Sequence, residues 1–205
     1  MKIYNFEQHT AEWDNIRKGK ITASVFKSFI TPKTLAPINS IIGKKALSKI
    51  IASTFCINNS EDFQSYDMAK GTECEPRARQ LYQQRNAIEV EEIGFIEDET
   101  GFAGFSPDGL VGEDGMIEIK TQCQKVHFYC KIFGFDEWLK EYKTQILLSM
   151  LVNPKIKWCD CISYNEDFDD DNKMFVHRYK RNDEELEKAR IVLDYWINEL
   201  KSFKK

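Results

Sequence analysis

A chain of 205 residues suits one domain with a full hydrophobic core, at ~100–200 residues per domain. With 42% apolar and 30% charged residues, five prolines and ten glycines, it falls outside the fibrous and low-complexity classes. No apolar run approaches the ~20 residues of a membrane span, and Met1-Lys2-Ile3-Tyr4-Asn5 lacks the apolar stretch of a signal peptide. The expectation is a cytoplasmic protein with no membrane partner. Its six cysteines include no Cys-x-x-Cys pair, which in that compartment reads as reduced thiols.

The formal net charge of −4 hides a segregation along the chain. Trp13 to Ile50 carries eight Lys or Arg against the single acid Asp14, whereas Glu61 to Glu118 carries fifteen acids against four bases. Such a division fits a protein that grips phosphates with one part and holds divalent cations with another. It fits equally the solvated surfaces of an unrelated protein. No repeat, linker or low-complexity tract marks a boundary, so residues 1–205 are expected to form a single domain.

In chain order, Thr22-Ala23-Ser24 followed by Val25, Phe26 and Phe29 predicts a turn and a helix start capped by Thr or Ser, ended by Pro32 and Pro37. Apolar residues at helical spacing predict a helix over Asn39 to Phe55 and another within Gln64 to Arg85. Pro76 should kink the second or restart it near Glu75. The period then changes. Ile88 to Ile96, Phe102 to Phe105, Asp108 to Val111 and Met116 to Lys120 read as a β-meander with Gly-containing turns, among them Glu113-Asp114-Gly115. A helix is predicted over Asp136 to Leu151 and strands near Lys157 to Ser163 and Lys173 to Tyr179, with an acidic loop between the strands. Leu186, Ala189, Leu193, Trp196, Leu200 and Phe203 define a last helix behind an Asn182-x-x-Glu185 capping box. Helices flanking a central mixed sheet make the fold class α/β or α+β.

Ser106-Pro107-Asp108-Gly109, a hairpin, and Glu118-Ile119-Lys120 carry the chemistry. Strand alternation points Glu118 and Lys120 one way and Ile119 into the core. The turn at Gly112 to Gly115 brings Asp108 back beside Glu118. Two converging carboxylates repel unless a cation joins them, and hard oxygen ligands suit Mg2+ or Mn2+. The Ile119 carbonyl could add a third oxygen, and Lys120 could hold or deprotonate a coordinated water. Taken alone, Asp108 and Glu118 read more simply as unrelated hairpin surface residues, with Asp108-Gly109 there only for the turn.

Further blocks surround this core. Trp13 with Arg17-Lys18-Gly19-Lys20-Ile21-Thr22-Ala23-Ser24, Gly71-Thr72-Glu73-Cys74-Glu75-Pro76-Arg77-Ala78-Arg79, Ser106 to Leu110, Glu118 to Lys120 and Tyr142 to Met150 follow one another in order. Together they resemble the lambda-type exonuclease and viral recombinase group of the PD-(D/E)xK nuclease superfamily. Pro76 and the short acidic C-terminal region depart from its pattern. The resemblance implies a restriction-endonuclease-like core. It also implies Asp108, Glu118 and the Ile119 carbonyl as metal ligands, Lys120 assisting the nucleophilic water, Glu75 near a second metal and Gln145 positioning water or phosphate. Arg17, Ser24 and Ser106 match positions that grip a 5′-terminal phosphate. Read singly, Glu75 is a helix-start acid, Gln145 a satisfied polar residue and Ser24 a cap.

The function so implied is a Mg2+-dependent 5′ to 3′ exonuclease on linear double-stranded DNA, with two ions per site and Mn2+ as a substitute. It would leave 3′ single strands for recombination. The resemblance further implies a homotrimeric ring and a single-strand annealing partner. A non-catalytic DNA-binding or recombination-partner protein on the same fold is the alternative, and the intact Asp108, Glu118 and Lys120 speak against it. An iron–sulfur nuclease or a zinc site would need more than Cys159-Asp160-Cys161 with His177. Those cysteines are expected in the core.

Overall fold

A computed structural model describes residues 1–56 and 66–203. Element order is β1 (Lys2–Tyr4), α1 (Ala11–Arg17), β2 (Ile21–Thr22), α2 (Ala23–Phe26), α3 (Ile41–Phe55), α4 (Tyr66–Asn86), β3 (Phe95–Glu97), β4 (Ala103–Phe105), β5 (Gly109–Val111) and β6 (Gly115–Thr121). Then come α5 (Gln124–Phe133), α6 (Asp136–Val152), β7 (Trp158–Tyr164), β8 (Met174–Lys180) and α7 (Asp183–Ser202). The mixed α/β class holds.

The expected central sheet is divided into two four-stranded sheets, β1-β3-β4-β2 and β5-β6-β7-β8. The division falls at Ser106-Pro107-Asp108. Ile96 lies opposite Phe105, and five residues further along either strand Glu91 lies opposite Leu110, so the hairpin crosses between sheets without inserting a residue. Pro107 has no N–H for the ladder at the crossing. The Gln8 side-chain amide bridges the gap, donating to Ile93 O and Pro107 O at 2.9 Å each.

Strand β6 is the axis of the second sheet, antiparallel to β5 and parallel to β7. Its alternation sorts the core. Ile117 and Ile119 join Cys74, Ala78 and Tyr82 of α4, whereas Met116 joins Cys159 and Cys161 of β7 and the apolar residues of α6 and α7. Helix α4 thus covers one face and α6 and α7 the other, while Glu118 and Lys120 share the Met116 face.

Of the two readings at Pro76, the restart near Glu75 is corrected, because α4 runs through Pro76 as one helix, while Gln64 lies outside the described residues. Three further local expectations are corrected. Gly112, at φ +58°, supplies the left-handed turn residue, whereas Gly115 already opens β6, where a Cβ would meet the Trp158 ring at 2.1 Å. Thr22 takes the N-cap position of α2 without a side-chain cap bond, its Oγ1 lying 3.4 Å from Ser24 Oγ. Asn182 does cap α7, accepting from Glu184 N and Glu185 N, but the reciprocal half of the capping box is missing. The Glu185 carboxylate instead accepts from Tyr179 Oη and, at 2.8 Å, from Lys143 Nζ. The acidic loop after β7 is closed onto α4 by Arg77 on Glu166 and Lys70 on Asp167.

Candidate active site

Strand β5 stops pairing where Gly109 meets Ile117, so the next outward-facing amide of β6, that of Ile119, has no ladder partner on that side. Asp108 supplies one. Its Oδ2 accepts from Ile119 N at 2.6 Å, which anchors the carboxylate at the open end of the strand pair. In a strand the N–H and C=O of one residue face the same neighbour, so the Ile119 carbonyl is turned to the same edge.

Glu118 is not a surface residue. It is 2% exposed, and its Oε1 accepts from Lys120 Nζ and, at 2.5 Å, from Gln145 Nε2 of α6. Burial, with Asp108 as a second cause, pushes the Glu118 carboxyl up from 4.5 to about 7, against the opposing pull of Lys120. For Lys120 burial alone would favour the neutral amine, but Glu118 and Asp108 outweigh it and hold the ammonium charged. Lys120 also lies 5.3 Å from the Tyr142 ring centroid. From the opposite layer α4 contributes Glu75, pushed up from 4.5 to about 8 by burial and then by Asp108, with Arg79 and Lys120 opposing.

Hydrogen bonds fall on one oxygen of each strand carboxylate, Oδ2 of Asp108 and Oε1 of Glu118, leaving the other for an ion. Among the described residues no group of three or more His, Cys, Asp and Glu side chains lies close enough to hold a metal. The oxygens brought to this end of β6 are those of the Asp108 and Glu118 carboxylates and the Ile119 carbonyl. Their oxygen-only chemistry, and a repulsion that Lys120 offsets only in part, fit a hard divalent cation rather than zinc.

Arg17, Ser24 and Ser106 lie at one end of the first sheet. Trp13 Nε1 donates to Ser106 Oγ at 2.7 Å, and the Arg17 guanidinium lies 3.7 Å from the centre of a Trp13 ring. Strand β2 runs parallel to β4 with Thr22 beside Gly104, so the chain reaches Ser24 as its neighbour reaches Ser106. Helix α2, only four residues long, adds little anion attraction of its own.

Two residues near the site carried no expected role. Arg79 donates to Glu75 Oε1 at 2.6 Å and to Asp108 O at 2.7 Å, and its four-residue spacing from Glu75 was the available signal. Gln8 left no signal in the sequence.

The YqaJ-like viral recombinase domain matches residues 12–155. The chain belongs to this family. Among solved structures it resembles an alkaline exonuclease, LHK-Exo, from Laribacter hongkongensis, at 29% identity and a TM-score of 0.81 over 94% of this chain and 93% of that one. The same exonuclease in complex with dAMP matches at a TM-score of 0.80 with the same identity and coverage. A phage-related exonuclease from Haemophilus somnus 129PT, 14% identical with a TM-score of 0.69 over 94% of this chain and 99% of that one, shares the fold. A search of curated proteins returns no match.

Proposed function

We propose that the protein is a divalent-metal-dependent exonuclease that degrades linear double-stranded DNA from its 5′ ends, leaving 3′ single strands for recombination. One observation carries the reading: Asp108 and Glu118 converge at the open end of β5 and β6, with Lys120 and Gln145 fastened to Glu118. Family membership and the likeness to an alkaline exonuclease support the enzyme class. The dAMP held by that relative is a deoxynucleoside monophosphate, the kind of product a DNA exonuclease releases.

Asp108, Glu118 and the Ile119 carbonyl would hold Mg2+ or Mn2+, with Glu75 serving a second ion. Such ions, when bound, polarise the scissile phosphate and lower the pKa of water. Lys120, fastened to Glu118, would hold or deprotonate the attacking water. Gln145 spends its amide N–H on Glu118, which leaves its carbonyl to accept from the attacking water. Arg17, Ser24 and Ser106 would meet the terminal phosphate, whose extra charge distinguishes a strand end from an internal diester. A homotrimeric ring would keep the enzyme on its substrate, and a single-strand annealing protein would take up the 3′ strand.

The test is hydrolysis of end-labelled linear duplex. Mg2+ should support release of labelled mononucleotide and EDTA should abolish it. Glu118→Gln, which keeps acceptors for Lys120 and Gln145, should lower the rate at least ~100-fold. Hydrolysis unaffected by EDTA, or none with either Mg2+ or Mn2+, would reject the reading.

A further inference from the structure

We propose that Arg79 is the positioning residue of this site, its guanidinium clamping the Asp108 backbone and the Glu75 carboxylate into one geometry. The inference rests on the nuclease reading and adds to it a residue that touches neither substrate nor metal.

Three nitrogens of one side chain reach three separate segments. Nε donates to Asp108 O at 2.7 Å, Nη2 to Glu75 Oε1 at 2.6 Å, and Nη1 pairs with Glu92 Oε2 at 2.5 Å. The side chain is 8% exposed, against 52% for Arg77 two residues earlier on the same helix. Arg77 ties Glu73 to Glu166 on the outer surface, as an ordinary exposed arginine does.

What Arg79 holds is a segment where the strand ladder is interrupted. Asp108 lies at the crossing between the two sheets, beside Pro107, where the ladder lacks a donor. Its carboxylate is pinned by Ile119 N and its carbonyl by Arg79, so both ends of the residue are fixed. The same guanidinium anchors Glu75 from the opposite layer. A planar fork sets the distance between two acceptors, whereas a lysine ammonium meets them as a point charge.

Charge and geometry make different predictions for Arg79→Lys. Were Arg79 only a neighbouring positive charge, a lysine in its place would leave cation binding as it is. A positioning role predicts weaker binding, and predicts it even for Arg79→Lys, which keeps the charge and discards the fork.

Mn2+ titration calorimetry on the full chain, with thermal melts in EDTA, separates these roles. Arg79→Lys and Arg79→Gln should melt cooperatively and bind Mn2+ about tenfold or more weakly, in the range of other groups that orient metal ligands. Their kcat should fall by a similar factor while KM for duplex stays within about threefold, because the DNA grip is elsewhere. Arg77→Gln, the control on the outer face, should bind Mn2+ as the unmodified protein does. The inference is overturned by an Arg79→Lys variant that melts and binds like the parent, by tighter binding in Arg79→Gln, or by failure of both variants to melt cooperatively, which would make Arg79 a folding residue. Unmodified protein that neither binds Mn2+ nor cuts DNA would reject the nuclease reading itself, and this inference with it.

Discussion

Glu118 and Glu75 are carboxylates in places that disfavour carboxylates. Burial comes first for both, and their folded values of about 7 and about 8 stand above the ordinary 4.5. A carboxyl raised on folding binds its proton more tightly in the native state, so stability is greatest below the unfolded value and falls as pH rises toward the folded one. Without metal, the melting temperature should therefore decline between about pH 5 and pH 8, and Glu75→Gln should flatten that decline. A divalent cation relieves the repulsion, so added Mg2+ should restore stability most at the alkaline end. The pH–rate curve should rise through the same interval, and its midpoint should move to lower pH as Mg2+ increases. A melting temperature constant across that range in EDTA would contradict the electrostatics assigned here. The burial of Glu118 also bears on how it is replaced. Glu118→Ala strands Lys120 and Gln145 without their acceptor, so it tests folding together with chemistry, whereas Glu118→Gln isolates the chemistry.

At the scale of elements, α6 and α7 form the platform behind Gln145. Helix α7 buries Leu186, Ala189, Val192, Leu193, Trp196, Ile197 and Leu200 along one face. Asn182 starts it by accepting two backbone amides, and Glu185 in the first turn reaches Lys143 of α6. The two helices are thereby joined at the cap as well as along the stripe. Asn182→Ala should cost about 1 kcal/mol, read as a fall of roughly 2–4 °C in melting temperature for a domain of this size. Exonuclease activity at 25 °C should be unchanged, because the Asn182 side chain bonds Glu184 N and Glu185 N and none of Asp108, Glu118, Lys120 and Gln145. A loss of activity without a loss of stability would mean that the cap acts on the site. Gly43 of α3 shows how closely this platform is packed. A Cβ there would stand 2.1 Å from Ile38 O and 2.7 Å from the Trp196 ring.

On the scale of the whole molecule, polarity and assembly belong together, since an enzyme that starts at a strand end must recognise that end and then stay on the duplex. Trp13 links the two halves of the proposed phosphate site, stacking under Arg17 and donating to Ser106, the residue two before Asp108. A 5′-phosphorylated duplex should accordingly be degraded faster than a 5′-hydroxyl duplex. Arg17→Ala should reduce that preference about tenfold, the worth of one charge-assisted hydrogen bond, without changing Mn2+ affinity. Equal rates on the two ends by the unmodified protein would remove the phosphate assignment and leave the metal site standing. Light scattering at micromolar concentration should return three times the 24.0 kDa of one chain. A mass of one chain would exclude the ring in solution.

What the sequence alone determined about this protein is what short-range physics controls. The stripes of α6 and α7, the strands at Trp158–Tyr164 and Met174–Lys180, and the alternation that sends Ile119 one way and Glu118 with Lys120 the other all follow from neighbours within a few residues. The Asp108, Glu118 and Lys120 set was legible for the same reason, since one hairpin brings it together. Tertiary structure decided the rest. The periodicity that placed Glu118 opposite Ile119 could not say that α6 would cover it. Pro76 argued locally for a kink or a restart, and only the folded chain shows one helix carried through it. Arg79 and Asp108 are separated by 29 residues and Gln8 and Pro107 by 99. Contacts of that span leave no periodic trace, because the chain's local preferences are the same whether or not the distant partner arrives. The division of the sheet at Pro107, and the residues that bridge it, exist only once β3, β4 and β5 have paired.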